Sequence, residues 1–348
     1  MADCFYSYDG CAPKQSYSTS EGPPDLENRS EIPVECHSSA ARRTGAAIER
    51  TSYHGWADCY LLSNGQVEAV VVPAIGRVMQ FRLRGGDEGA FWENRELDGR
   101  LHDPASGEWL NIGGDKCWPA PQSAWPEHQG REWPPPAGFD SSPFEAVAVE
   151  RGVVLTLPVD PAYGIQVVRS VELDPAQPVM RIRTEYRKLS GAPVTVGIWT
   201  ITQMRAPERV FMLLPEDSSF PQGYVRLMDG EPAELKIEGR LLSLARHPRV
   251  CVKIGSGGSS IAWVGPGSIV RIDAEDGPGE YPDGGCLTEV YTNPDPLQYV
   301  ELETLSPLAA MSAGSQIERT TVYTVLPRST SDPQAEALKA FGMAPPPL

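Results

Sequence analysis

This chain of 348 residues lacks clustered positive charge. It has 30 Lys and Arg against 46 Asp and Glu, which gives a formal net charge of −16. Nucleic-acid binding depends on clustered basic side chains that neutralise phosphates, and no basic run of that kind occurs. We therefore expect neither nucleic acid nor a membrane surface as a partner, and we attribute the acidity to solubility.

The chain also lacks the segments and motifs that mark export, membrane insertion and several common chemistries. The first residues, MADCFYSYDG, show no basic stretch followed by an apolar one, and no run of about 18 apolar residues occurs. The 7 cysteines are irregularly spaced without a C-x-x-C pair, so we predict neither a metal site nor a redox pair. Nucleotide-binding glycine patterns and hydrolase motifs are missing too. We expect a reduced, cytoplasmic protein without a cofactor.

Helical signals are nearly absent. With 33 Gly and 34 Pro, long helices are disfavoured, and only residues 331–341 combine a capping residue, an early Pro and good helix formers. Short apolar or alternating runs between Gly, Pro, Asn and Asp are typical of antiparallel strands. They occupy residues 66–73, 77–83, 152–158, 165–173, 179–186, 194–203, 250–254, 260–264, 268–273, 287–291, 299–304 and 317–325. We predict an all-β fold, one large two-sheet antiparallel sandwich.

Composition suggests the domain boundaries. Residues 1–45 are rich in Ser, Pro, Glu and Asp and have few aliphatic side chains, so we expect a disordered tail there. We expect the sandwich domain in residues 46–330, followed by a short helix and tail in residues 331–348.

The best candidate site is the segment of residues 113–140. Residues 108–140 contain half of the 8 tryptophans, and the segment adds the polar side chains Asp115, Lys116, Gln122, His128 and Arg131. Sugars present apolar faces that stack on aromatic rings, and hydroxyl groups that need hydrogen-bond partners. The sequence leaves an alternative open, in which the tryptophans close one end of the sandwich and the charged groups are solvated.

Two motifs in this chain resemble a known superfamily. The segment GGDKCWPAPQ at residues 113–122, followed by Trp125 and Trp133, and the segment YVELETLSP at residues 299–307 are similar to an uncharacterised galactose mutarotase-like family. The resemblance covers about residues 50–327 and implies a β-supersandwich, a large twisted two-sheet fold. That fold agrees with the strand pattern.

The resemblance also implies a catalytic base. Aldose 1-epimerases of this superfamily carry a glutamate base in an L-E-T context, which Leu302-Glu303-Thr304 matches, so Glu303 is the implied base. The same enzymes carry a histidine acid on a central strand. The corresponding strand, residues 196–204, has Trp199 and Gln203 but no histidine.

Mutarotation needs an acid as well as a base, so another side chain would have to replace the histidine. His128, with an ordinary pKa near 6.5, and Lys116 are the candidates. An exposed loop histidine and an ion-paired lysine are the alternatives. Glu301 shares a strand face with Glu303, and repulsion between two such carboxylates would raise the pKa of one of them if the face is partly buried.

We expect nine side chains to contact the ligand. They are Arg77, Asp115, Trp118, Gln122, Trp125, Arg131, Trp199, Gln203 and Glu301. Lys116 and Arg131 would suit an anionic sugar such as a uronate or a sugar phosphate. Their pairing with neighbouring acidic residues is the alternative.

Three functions follow from these features, each with a small-molecule carbohydrate as partner. The first is an isomerase of the aldose 1-epimerase type. The second is a carbohydrate-binding protein that lost its acid and does not catalyse. The third is a uronate lyase or hydrolase on the same fold, because a fold does not fix chemistry.

Overall fold

The computed structural model describes residues 46–86, 89–103, 106 and 108–343. The tail predicted at residues 1–45 and the last residues of the predicted C-terminal tail, 344–348, lie outside this part. Within it, two antiparallel sheets of 11 and 10 strands face each other, and the predicted all-β sandwich is confirmed. No helix in the described residues is long and apolar enough to cross a membrane.

The first sheet holds most of the candidate residues. Numbered along the chain and given in their order across the sheet, its strands are β1 (Ala47–Tyr53), β2 (Trp56–Ser63), β3 (Val67–Val72), β4 (Arg77–Leu83), β5 (Asp115–Ala120), β10 (Val194–Arg205), β19 (Tyr299–Leu305), β18 (Thr288–Thr292), β15 (Val252–Ser256) and β12 (Val225–Arg226), with β20 (Ala309–Met311) beside β10. β10 is the long central strand and pairs with both β5 and β19.

The second sheet packs its inner face against the first. In order, its strands are β13 (Ala233–Glu238), β14 (Leu241–Ala245), β11 (Arg209–Leu213), β16 (Ser260–Val264), β17 (Ser268–Ala274), β21 (Gln316–Pro327), β9 (Val179–Lys188), β8 (Ile165–Leu173), β7 (Gly152–Thr156) and β6 (Glu145–Val149). Their alternation matches a sheet with one covered face. In β9, Met180 and Ile182 are buried while Arg181 and Arg183 are exposed.

The helices of the described residues are short. The α-helices are α1 (Trp125–Gln129), α2 (Ala137–Asp140) and α3 (Pro333–Ala340), and residues 73–75, 95–97 and 122–124 form single 3-10 turns. Asp332 caps α3 by accepting a hydrogen bond from the backbone N–H of Gln334, as Asx residues do at helix starts. Buried apolar side chains of α3 pack with Phe211, Val264 and Ile269 of the second sheet.

A buried polar network links the two sheets. Arg169 of β8 donates to the Asp115 carboxylate of β5, and both side chains are 0% exposed. The hydroxyl of Tyr323 on β21 donates to Asp115 at 2.6 Å, and that of Thr202 donates at 2.8 Å. The Asp115 carboxylate thus has three donors, and burial of a charge is tolerated when the charge is paired and hydrogen-bonded.

Removing the negative charge from this network should destabilise the sandwich. We expect Asp115→Asn to lower the free energy of unfolding by about 3–5 kcal/mol, because Arg169 then remains buried without its counter-charge. Denaturant titration measures the change. Glu318→Gln is the control, because it breaks an exposed pair with Arg183 and should change stability by about 0–1 kcal/mol. Equal, small effects of both variants would contradict the assigned role of Asp115.

Candidate functional site

The register of β10 decides which side chains of the first sheet share a face. Directly opposed residues of antiparallel strands point to the same side. The cross-strand rows are Trp118–Trp199–Leu305, Lys116–Ile201–Glu303 and, next along β10, Gln203–Glu301. We call this side the outer face of the first sheet, because the intervening residues Asp115, Thr202 and Thr304 bond to the second sheet or to each other inside the sandwich.

The rows continue onto β18 and β15 and bring in two further charged residues. Glu289 lies directly opposite Glu303, and Tyr291 lies opposite Glu301. Lys253 of β15 lies opposite Tyr291. The outer face therefore places three carboxylates and two lysines over five adjacent strands.

Glu303 is held by two donors. Its Oε2 accepts a 2.6 Å hydrogen bond from Nε1 of Trp199 and lies 3.0 Å from Nζ of Lys253. The same Nζ lies 2.6 Å from Oε2 of Glu289 and 4.6 Å from the centre of the Trp199 ring. Burial raises the pKa of Glu289 well above its usual range. Lys253 thus sits between two carboxylates and over an aromatic ring, a position that suits a cation.

Lys116 is the cation on the other side of Ile201. Its side chain is 0% exposed, and its Nζ lies 3.8 Å from Oε1 of Glu301 and 4.8 Å from the centre of the Trp118 ring. Burial lowers the pKa of Lys116 to about 8, although Glu301 favours its charged form. Burial likewise raises the pKa of Glu301 to about 7. Glu301 is therefore the carboxyl of the predicted pair for which a raised pKa is found.

A third cation, Arg77, closes the face beside Lys116. Its guanidinium donates to the Gly113 carbonyl at 2.7 Å and to Oδ1 of Asp140 at 3.0 Å. Nε1 of Trp118 donates to the same Asp140 oxygen at 2.9 Å. Asp140, from α2, thereby fixes the orientation of both Arg77 and Trp118.

Several polar atoms of this face lack a hydrogen-bond partner. Within the part of the chain that the structure describes, these buried atoms include Nζ of Lys116, Nε of Arg77 and Oδ2 of Asp140. A buried donor or acceptor without a partner is costly, and native proteins leave few of them. Water or a polar ligand between these side chains would satisfy them.

Trp109, Trp125 and Trp133 form a cover over the end of this face that holds Trp118 and Trp199. Trp118 makes edge contacts with Trp125 and Trp199 at ring-centre distances of 5.5 and 5.3 Å. Trp133 packs on Trp109 at 5.0 Å and is 40% exposed, so it forms the outer surface of the cluster. Stacked and edge-on aromatic contacts of this kind add rigidity to a cover.

The two glycines before β5 are required by protein packing. Gly113 and Gly114 have φ angles of +105° and +73°, where a side chain is strained. A Cβ on Gly113 would lie 2.2 Å from the Trp92 carbonyl oxygen, and one on Gly114 would lie 2.7 Å from that of Val78. The close approach at this pair is therefore to backbone of the same chain.

Four of the predicted site residues lie elsewhere. Asp115 is on the inner face of β5, bonded to Arg169. His128 of α1 packs against Tyr163 with the two rings tilted, at 4.5 Å between ring centres. Gln122 lies in a short turn before α1, and Arg131 is exposed just after that helix. The contacts above join the other eight predicted residues: Arg77, Lys116, Trp118, Trp125, Trp199, Gln203, Glu301 and Glu303.

Sequence reasoning did not include Lys253 and Glu289 in the site. Each lies on a predicted strand, within VCVKI at residues 250–254 and LTEVY at residues 287–291. A charged residue inside a short, otherwise apolar strand is a signal in itself, because buried charges require a partner. A prediction that these two strands are neighbours would have paired Lys253 with Glu289.

Searches with this sequence against protein-family models and curated proteins find no match. Solved structures do share the fold. A galactose mutarotase-like protein from Lactobacillus casei matches with a TM-score of 0.52 and 9% identity, over 77% of this chain and 100% of that one. Another galactose mutarotase-like protein, from Clostridium acetobutylicum, matches with a TM-score of 0.53 and 11% identity, over 82% of this chain and 100% of that one. A galactose mutarotase related enzyme from Lactobacillus acidophilus matches with a TM-score of 0.50 and 11% identity, over 79% of this chain and 99% of that one. At these identities the similarity is one of fold, and it confirms the predicted galactose mutarotase-like sandwich.

The environment of Lys116 predicts an unusual titration. We expect its ammonium to titrate near pH 8, because burial disfavours the charged form. In Glu301→Gln the midpoint should fall further, since the carboxylate that favours the ammonium is gone. NMR titration of selectively labelled lysine side chains, assigned with Lys116→Met, measures both midpoints. Glu318→Gln, on the second sheet, is the control and should leave the midpoint in place. A titration midpoint of Lys116 above pH 10 would show that the lysine is not buried as described and would contradict the site geometry.

Proposed function

We propose that the outer face of the first sheet binds an aldose and catalyses the interconversion of its anomers, as aldose 1-epimerases do. The observation that carries this proposal is the row Lys116–Ile201–Glu303. It sets a cation and a carboxylate on either side of an apolar floor, two strand spacings or roughly 9.5 Å apart. Both charged side chains are nearly fully buried, at 0% and 1% exposed.

The surroundings of this row suit a sugar. Trp118 and Trp199 offer apolar faces next to the floor, and the partnerless atoms of Lys116, Arg77 and Asp140 offer two donors and an acceptor. A sugar has both kinds of surface, and its hydroxyl groups donate and accept hydrogen bonds. The resemblance of residues 113–122 and 299–307 to a galactose mutarotase-like family supports the same ligand class.

The chemistry requires one base and one acid. Glu303 would take the proton from the anomeric hydroxyl while the Lys116 ammonium gives a proton to the ring oxygen. The bond between the anomeric carbon and the ring oxygen then breaks and leaves an open-chain aldehyde. After rotation about the neighbouring carbon–carbon bond, the reverse transfers close the ring as the other anomer. A lysine with a pKa of about 8 is still protonated at neutral pH and can act as the acid.

The lysine and carboxyl beside Glu303 support its role as base. Lys253 places a positive charge 3.0 Å from Oε2 of Glu303. Glu289, whose Oε2 lies 2.6 Å from the same Nζ, holds Lys253 in this position. In this scheme Lys253 and Glu289 position the base and touch no substrate.

Access to the row requires movement of its cover. Of the charged side chains described above for this face, Glu301 and Lys253 are the ones that solvent reaches, at 13% and 15% exposed. A sugar ring over Ile201 would have to displace part of the tryptophan cluster, whose outer member is Trp133. Closure over a bound substrate would then exclude water from the reacting groups.

A second candidate function is sugar binding without catalysis. It is favoured by one contact, the 2.6 Å hydrogen bond from Trp199 to Glu303. Trp199 lies on the strand where the resemblance places a histidine acid, and it occupies an oxygen that the base needs. A face built this way can hold a sugar with Glu303 as an acceptor only.

Neutralising either member of the acid–base pair should abolish most of the exchange. We expect Glu303→Gln and Lys116→Met each to lower the rate of anomer exchange by about 10²–10⁴-fold, the usual contribution of a positioned proton donor or acceptor. NMR saturation transfer between anomeric protons measures the rate for a panel of hexoses. Glu318→Gln, an exposed carboxylate of the second sheet, should retain the full rate.

The wild-type protein decides between the two candidates. Sugar binding by calorimetry without enhanced exchange would establish the non-catalytic function and refute the epimerase. A Glu303→Gln variant with undiminished exchange would refute the assignment of the base, whatever the sugar.

A further inference from the structure

An open cavity lies on the same sheet as the covered row. It has a volume of about 610 Å³, and its lining includes Tyr53, Arg82, Trp92, Glu93, Arg95 and Arg205. Small-molecule sites typically occupy about 300–1,000 Å³. Nothing in the proposed chemistry uses these residues.

The cavity lies at the far end of β10. Arg205 belongs to that strand, four residues beyond Ile201, and it pairs with Tyr299 of β19. At about 3.3 Å per residue this places the cavity roughly 13 Å along the sheet from the floor of the row. Arg205 and Ile201 are an even number of residues apart on this strand, so both side chains point to the outer face.

One aromatic pair separates the cavity from the row. Trp92 lines the cavity and packs on Tyr299, with ring centres 4.6 Å apart. The Tyr299 hydroxyl accepts a hydrogen bond from Asn111, which in turn accepts one from Gln203. Gln203 opposes Glu301, so contacts run without interruption from the cavity wall to the neighbourhood of Lys116.

The polar wall of the cavity is fixed by internal hydrogen bonds. The carboxylate of Glu93 accepts bonds from the Tyr53 hydroxyl at 2.7 Å, Gln80 at 3.1 Å and Arg95 at 3.2 Å. Arg82 is paired with Glu68, and Arg95 also with Asp98. The wall therefore presents oriented donors and acceptors whose charges are largely compensated. Groups of this kind suit hydroxyls better than a free anion.

We propose that this cavity is a second saccharide subsite, so that the ligand of the outer face is a chain of two or more sugar units. One ring stacks on Trp92 and bonds to the Glu93 wall and Arg205, and the next ring extends toward the row. The inference rests on the proposed function, because the sugar chain continues from the cavity along the same face toward the proposed row. It adds that the cavity, which is open while the row is covered, holds the first ring to bind.

NMR of the tryptophan indole N–H groups tests this subsite directly. Lactose, maltose and cellobiose are the probes, with glucose and galactose as single-ring comparisons, and Trp92→Phe assigns the Trp92 signal. We expect at least one disaccharide to shift the Trp92 indole resonance and to bind more tightly than its component monosaccharides. Trp92→Ala should weaken that disaccharide by roughly five- to tenfold through loss of stacking.

A second variant protects the test against misfolding of Trp92→Ala. Arg205→Gln keeps a side chain of similar length in the cavity and should also weaken disaccharide binding. Arg240→Gln is the matched control, because Arg240 lies in the turn between β13 and β14 and pairs with Glu216 away from the cavity. It should bind like the wild-type protein.

The possible failures are distinguishable. Sugars that shift the indoles of Trp118 or Trp199 and leave Trp92 unchanged would overturn the second subsite while the proposed function stands. Equal disaccharide affinity in wild type, Arg205→Gln and Trp92→Ala would overturn it as well. The absence of any indole shift with all five sugars would overturn both proposals.

Discussion

The hydrogen-bonded register of β10 between β5 and β19 is the constraint on which the rest of the site depends. Because side chains alternate along a strand and opposed residues share a face, this register sends Asp115 inward and Lys116 outward. The same ladder places Glu303 two strands from Lys116 with Ile201 between them. A shift of β5 by one residue would exchange these faces. Lys116 would then lie between the two sheets, and Asp115, the partner of Arg169, would lie on the outer face.

Burial then gives these side chains their chemical properties. On an exposed sheet the same lysines and glutamates would form ordinary surface pairs of small energetic consequence. In their buried positions, loss of water lowers the pKa of Lys116 and raises those of Glu289 and Glu301. The three pKa changes share one cause, since desolvation favours the neutral form of each group. Burial is therefore part of the chemistry as well as of the fold.

Sequence reasoning succeeds where one physical pattern dominates. The alternation in residues 194–203 placed Trp199 and Gln203 on one face, and the spacing of Glu301 and Glu303 did the same for β19. Sequence reasoning did not predict β5. That strand is buried on both faces, and its sequence shows no alternation of apolar and polar residues. Residues 113–140 therefore contained no predicted strand. Asp115 could not be separated from Lys116 without the strand, and Lys253 could not be brought to Glu303 without knowing that β15 and β18 are neighbours.

The most direct test of this account is a crystal structure of the protein with an aldose bound. The account predicts a sugar ring over Ile201, with its anomeric hydroxyl within hydrogen-bond distance of Glu303 and its ring oxygen within that of Lys116. The tryptophan cover would be displaced at Trp133. A row left empty at saturating aldose, with the Trp199–Glu303 hydrogen bond and the cover in place and whether or not the cavity beside Trp92 is filled, would contradict it.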